Sequence, residues 1–171
     1  YEDDLLTVRC EACATRVVTY DLPPAAVQGR TPREVLASTD RRVRHEYALA
    51  VHGTCSKCGG STAVRVEDRG LEGEAVSFAV AACRRCYNEV FAPVAVVVLW
   101  HPAVIAFYWE QGVDAMAIPF WDVSRYVDEW TVDERAGDAF AVGLTLDREG
   151  ESLSLVLRAD GDGAVSVDVD R

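Results

Sequence analysis

The chain has 171 residues, half of them hydrophobic, and 28 acidic groups against 17 basic ones give it a net charge of −11. That is enough chain to bury a core, as one compact unit or two small ones. Residues 93–171 hold 15 acidic and 5 basic groups, a balance that repels a phosphate backbone and excludes nucleic-acid binding by that half. Residues 1–52 carry 7 basic and 8 acidic groups, and residues 53–92 carry 5 of each. Lys57 is the sole lysine; the other sixteen basic residues are arginine. Acid-rich, lysine-poor, Ala- and Val-rich sequence suits a protein that works in concentrated salt, where carboxylates hold water and salt screens their repulsion. An ordinary acidic protein from a GC-rich genome is the alternative.

Leu5 to Arg9 and Arg16 to Tyr20 read as strands flanking Cys10-Glu11-Ala12-Cys13. Three readings of this C-x2-C pair compete: half of a second ribbon whose other half lies before Tyr1, a bridge to another chain, or a redox pair. The redox form sits at the start of a helix in a βαβ unit, whereas strands flank this pair, so the half-ribbon is preferred. A chain that opens mid-strand at Tyr1 without an initiator Met is expected to be a fragment of a longer protein. Asp21-Leu22-Pro23-Pro24 marks a linker, closing a first segment over 1–30.

Thr31-Pro32-Arg33-Glu34 announces a helix over 31–52: Thr31 caps the free amides, Pro32 suits the first helical position and Glu34 completes a capping box. Val35, Leu36, Val43, Tyr47 and Val51 supply its apolar stripe, and Gly53 ends it. Arg41, Arg42 and Arg44 form the one basic cluster, expected on the solvated face.

Over 53–92 lies the most specific signal in the sequence. Cys55-Ser56-Lys57-Cys58 and Cys83-Arg84-Arg85-Cys86 are matched C-x2-C pairs, with 24 residues between them. Zinc takes four ligands in a tetrahedron, and two thiolates two residues apart can bind one ion from a single tight turn. Gly59-Gly60 follows the first pair, where such a turn needs positive φ. Ser61 to Glu67 and Ala75 to Ala82 read as two strands joined by a turn at Asp68-Arg69-Gly70, which together predict a zinc ribbon. Four thiolates close the coordination sphere, so one structural zinc per chain is expected. No H-E-x-x-H or comparable arrangement is present, and His45, His52 and His101 lack evident partners, so no enzyme is expected.

From Phe91 to Trp109 only His101 is strongly polar, nearly a membrane-spanning length. Pro93 and Pro102 interrupt the run and no basic flank anchors it, so no membrane span is expected. Val94 to Trp100 is open between helix and strand because of its Val96-Val97-Val98 run; Ala103 to Glu110 reads as a helix stopped by Gly112. His101 reads as a helix-end residue. This apolar segment is expected to be covered on both sides, by the meander and by either the ribbon, a second subunit or a ligand. Trp100, Phe107, Tyr108, Trp109, Phe120, Trp121, Tyr126 and Trp130 crowd into 31 residues, as core, as a subunit interface or as a pocket for a small apolar ligand.

From Trp130 the period becomes two. Phe140, Val142, Leu144 and Leu146, then Leu153, Leu155 and Leu157, then Val165, Val167 and Val169 alternate with small or polar residues. This predicts an antiparallel meander with one buried face. Asp160-Gly161-Asp162-Gly163 reads as a hairpin turn, since a calcium loop needs further oxygen ligands. The fold class expected is α+β: a zinc ribbon plus short helices packed on an antiparallel meander, with residues 93–171 holding the helical segment and the meander.

The sequence resembles the C-terminal region of haloarchaeal ArsR-type winged-helix transcriptional regulators. The resemblance covers nearly the whole chain. It is carried by Tyr1-Glu2-Asp3, Val8-Arg9-Cys10-Glu11-Ala12-Cys13, Leu22-Pro23-Pro24, Arg30-Thr31-Pro32 and Asp40-Arg41-Arg42-Val43-Arg44. The Cys55/Cys58 and Cys83/Cys86 pairs, His101-Pro102-Ala103-Val104, Phe107-Tyr108, Gly112-Val113-Asp114 and the closing meander complete it. Trp100 and Trp109 depart from it, standing where polar residues are expected. The resemblance implies an effector or dimerisation region of a cytoplasmic, homodimeric regulator. DNA would be bound through a winged helix outside these residues, and another C-x2-C would lie shortly before Tyr1. The alternative is a stand-alone zinc-ribbon protein that docks onto transcription or RNA machinery.

Overall fold

A computed structural model describes residues 4–14, 16–71, 74–122, 128–135, 141–159 and 165–170. The fold is α+β, with a few helices and antiparallel sheets. β1 (Leu5–Arg9) and β2 (Arg16–Asp21) form a hairpin around Cys10 and Cys13. A 3-10 turn (Pro24–Ala26) leads to α1 (Pro32–Val51), which opens with the expected capping box between Thr31 and Glu34. Its C-terminus is closed by His52 and by Gly53, whose φ of 86° favours glycine.

The second sheet holds β3 (Thr62–Leu71), β4 (Glu74–Cys83) and β5 (Glu89–Pro93) in that order. The turn expected at Asp68-Arg69-Gly70 is not there. Those residues pair with Ser77, Val76 and Ala75, and the ladder runs on to Leu71 opposite Glu74. Continued pairing gives the facing backbone donors and acceptors of the two strands partners along the arm, which outweighs the poor strand preference of glycine. β5 makes the ribbon three-stranded, a strand the alternation did not announce. Directly after it, Val94–Val98 forms α2 and Pro102–Glu110 forms α3. Helix wins over strand at Val96-Val97-Val98 because Val94, Ala95, Val96 and Val98 are all buried in that conformation; burial overrides the preference of β-branched residues for strands.

The meander is as expected: β6 (Trp130–Arg135), β7 (Ala141–Arg148), β8 (Glu151–Ala159) and β9 (Val165–Asp170) pair in chain order. Val142, Leu144 and Leu146 face Leu157, Leu155 and Leu153 across β7 and β8, and all six are buried. They share one core with Ala50 of α1, Val64, Ala79, Ala81 and Ala92 of the ribbon, the α2 valines, and Val104, Phe107 and Tyr108 of α3. Phe140 and the turn assigned to Asp160-Gly161-Asp162-Gly163 lie outside the described residues.

Burial overturns one expectation and narrows another. The solvated face expected for Arg44 is not observed: the residue is buried. Its Nε lies 3.0 Å from the Asp40 carboxylate, its guanidinium donates to the Ile118 carbonyl and it lies 5.7 Å from the centre of the Trp100 ring. Asp40 also accepts from the Phe120 amide at 2.7 Å. Arg42 is half-buried, paired with Glu46 at 2.7 Å and set against the Tyr20 ring. Of the three arginines only Arg41 is exposed. Sequence could not separate them, because the segment that covers Arg44 comes from 74 residues downstream.

The second concerns α3, whose outer side is left open at Trp109 by the described residues of this chain. In nine residues its inner face takes Val104, Phe107 and Tyr108, at i, i+3 and i+4, and Trp109 on the opposite side is 67% exposed. Replacing Trp109 with Glu is therefore expected to leave the fold intact, whereas Phe107→Ala should cost about 3–5 kcal/mol in chemical denaturation. Arg44→Ala strands the Asp40 charge and should cost about 3 kcal/mol. Arg41→Ala should change stability by less than about 0.5 kcal/mol by the same measurement.

Candidate metal centre

Each half of the centre is a short turn at a sheet end. In the first, Cys55 leaves the Thr54–Ser61 bridge, the Gly59 amide donates to the Cys55 carbonyl at 2.9 Å, and Gly59 takes a φ of 69°. In the second, β4 ends at Cys83, the Tyr87 amide donates to the Cys83 carbonyl at 3.2 Å, and Tyr87 takes a φ of 58°. The two turns thus repeat one geometry. They are stitched together by the Arg84 amide donating to the Ser61 carbonyl at 3.0 Å. At the crossing, a Cβ on Gly60 would lie 3.2 Å from Arg85 Cβ and 3.3 Å from Cys58 Sγ, closer than ordinary van der Waals contact, so glycine suits the approach of the two turns.

The four sulfurs of Cys55, Cys58, Cys83 and Cys86 lie within 4.8 Å of one another. Cys55 and Cys86 are 3.7 Å apart, and Cys58 and Cys83 are 3.6 Å apart. Sulfurs bound at about 2.3 Å to one tetrahedral ion are separated by about 3.8 Å, so the donor set fits a single metal. Cys55 and Cys83 are buried; Cys58 and Cys86 face solvent. The amides of Cys86 and Arg85, each 3.4 Å from the Cys83 sulfur, hold that thiol down at about 6. At Cys58 the Gly60 amide pulls downward, but the Cys86 and Cys83 thiols, lost solvation and Cys55 outweigh it and push the thiol up to about 12. The site is therefore partly ionised near neutrality.

Cys10 and Cys13 belong to no group of three or more candidate ligands among the described residues. Their turn nevertheless repeats the same geometry. The Ala14 amide donates to the Cys10 carbonyl at 2.9 Å, and Ala14 takes a φ of 58°. Sequence gave no warning of this, since neither Ala14 nor Tyr87 is a residue type that favours positive φ.

The aromatic set is divided. Phe107, Tyr108 and Trp130 are core, and Trp100 and Phe120 pack against it. Trp100 stacks on Tyr47 at 5.5 Å, and Phe120 meets Trp121 edge-on at 5.2 Å. Trp109 projects outward, and Tyr126 lies outside the described residues. A shallow depression lined by His45, Ala48, Leu49 and His52 involves none of these aromatics. His101 caps α3, its Nδ1 accepting from the Ala103 amide at 3.3 Å, and burial lowers its pKa. No helix among the described residues is long and apolar enough to cross a membrane.

Fold and site define an α+β protein with a four-cysteine ribbon of the metal-binding kind. The chain belongs to the family described as Domain of unknown function (DUF7351), whose model matches residues 1–165. No curated protein and no solved structure matches it.

Two outcomes follow for the centre. Gly60→Ala should weaken metal retention, because the added methyl displaces the Cys58 sulfur, at a cost of about 1–3 kcal/mol in a competitive chelator titration. Metal binding near pH 7 should release protons, that of Cys58 among them, since its raised pKa keeps it protonated there. Affinity should fall as pH drops, and further below about pH 6 as Cys83 protonates as well.

Proposed function

We propose that this chain is the effector and dimerisation region of a DNA-binding transcriptional regulator, held by a structural zinc ion on Cys55, Cys58, Cys83 and Cys86. The observation that carries the structural part is the closed four-sulfur cluster itself. Thiolates select soft or borderline metals, four of them leave no position for water or substrate, and a tetrahedral set with these separations suits zinc. The cluster would fix the ribbon, and the ribbon shares a core with α1, α2, α3 and the meander. The regulatory part rests on the resemblance to haloarchaeal ArsR-type regulators and on charge. With 15 acidic and 5 basic groups over residues 93–171, that half is unsuited to a phosphate backbone, and a winged helix elsewhere in the protein would take the operator.

On this reading Cys10 and Cys13 are one half of a second zinc site, completed by two ligands from upstream sequence. The support is the shared turn geometry at Ala14, Gly59 and Tyr87. Trp109, exposed at the end of α3, is the anchor of the homodimer contact.

Elemental analysis should find one zinc per chain in the 171-residue protein and two in a chain extended by a segment that carries a further C-x2-C pair; a constant ratio would refute the second site. Light scattering should report a dimer that Trp109→Glu converts to a folded monomer, and a variant that stays dimeric would move the interface elsewhere. Melting temperature should rise strongly from dilute buffer to molar KCl as carboxylate repulsion is screened, and a salt-independent melt would count against a saline cytoplasm.

A further inference from the structure

The two turns of the metal centre carry side chains that the centre does not need. Arg84 and Arg85 occupy the two positions between Cys83 and Cys86, and both are exposed. Neither forms an ion pair among the described residues, although the chain has 28 carboxylates to offer. Lys57, the only lysine, sits between Cys55 and Cys58 on the facing turn, exposed and 3.6 Å from Asp21. The Cβ position of Gly60 lies 3.2 Å from Arg85 Cβ, so the turn that carries the two arginines packs directly against the first turn.

Beside them is Tyr87. It occupies the place that Gly59 fills in the other turn, with a φ of 58°, a backbone conformation that disfavours a residue with a Cβ. Its ring is 85% exposed, so packing within the chain does not repay the strain. Two unpaired guanidiniums, a third cation and an exposed aromatic ring on one rigid tip match the footprint that binds a nucleic-acid strand. Cations meet phosphates and a ring stacks on a base.

We propose that the metal-bearing tip of the ribbon is a contact site for a single nucleic-acid strand, with Arg84 and Arg85 on phosphates and Tyr87 stacked on a base. The net charge of −11 does not forbid this. In salt, charges act over roughly 8–10 Å, so the local sign at the tip decides and the acidic half of the chain is screened from it. The inference uses the ribbon alone and does not rest on the regulator reading. It places a nucleic-acid contact in the charge-balanced ribbon, apart from the acidic residues 93–171. A protein partner with an acidic surface would also meet the arginines, but would leave Tyr87 without a stacking partner.

The test is fluorescence anisotropy of a short, labelled, mixed-sequence single-stranded oligonucleotide against the zinc-loaded 171-residue chain over a KCl series. Tyr87→Gly puts glycine where the backbone favours it, so the variant should fold at least as well as the parent and lose binding roughly tenfold. Arg84→Ala/Arg85→Ala should lower the slope of log K against log salt by about 1.4, the contribution of two phosphate contacts on a single strand. Zinc content measured on both variants separates contact from folding. The proposal is overturned if the parent chain does not bind the strand, if both variants bind as it does, or if poly-glutamate competes better than the oligonucleotide. Tighter binding to the duplex than to the strand would also overturn it. So would loss of zinc in the arginine variant with unchanged binding, which would make those cations counter-charges for the thiolates.

Discussion

Four cysteine sulfurs within 4.8 Å of one another repel as thiolates and gain little as thiols, so the closed end of the ribbon depends on a cation between them. The sheet behind it could not hold that end shut alone. Its inward positions are largely alanine, with Ala79, Ala81 and Ala92 in the core, and alanine buries little surface. Metal bound to such a site supplies about 10–16 kcal/mol, which is more than most domains have in reserve. From the centre the order propagates by short links. The Thr54 amide donates to the Leu49 carbonyl at 2.9 Å, and the Thr62 hydroxyl donates to the Ala50 carbonyl at 2.6 Å. The metal turns thereby fix the C-terminus of α1.

At the middle of the same helix a second, purely polar node does related work. Asp40 and Arg44 bind one another and capture the Phe120 amide and the Ile118 carbonyl, tying the loop after α3 to α1. Nearer the N-terminal hairpin, the Tyr20 hydroxyl donates to Glu46, which also pairs with Arg42. That contact raises the Tyr20 pKa, first by burial and then by the hydrogen bond to the carboxylate. α1 therefore organises the fold by offering charged groups on two faces, in addition to its apolar stripe of Val35, Val43 and Val51.

What was legible in the sequence is what short-range chemistry dictates. The capping box at Thr31, the matched cysteine pairs and the period-two alternation after Trp130 each encode local geometry, and each stands in the structure as read. What was not legible depends on distant partners. The burial of Arg44 is set by Ile118 and Trp100, the exposure of Trp109 by which side of α3 meets the core, and β5 by pairing to β4 rather than by its own alternation. The position of the ribbon's far turn was lost because glycine at position 70 signals a turn locally while the ladder continues through it. At the metal centre the ligands were legible and their setting was not. Positive φ at Ala14 and Tyr87 is imposed by the C-x2-C turn rather than invited by either residue.

The central claim is that one metal ion on four sulfurs closes the ribbon. X-ray absorption at the zinc edge on protein purified under reducing conditions tests it directly. The account predicts a single shell of four sulfurs at about 2.3 Å with no lighter ligand. A shell containing nitrogen or oxygen, or fewer than four sulfurs, would open the coordination sphere and contradict the structural role given to the centre.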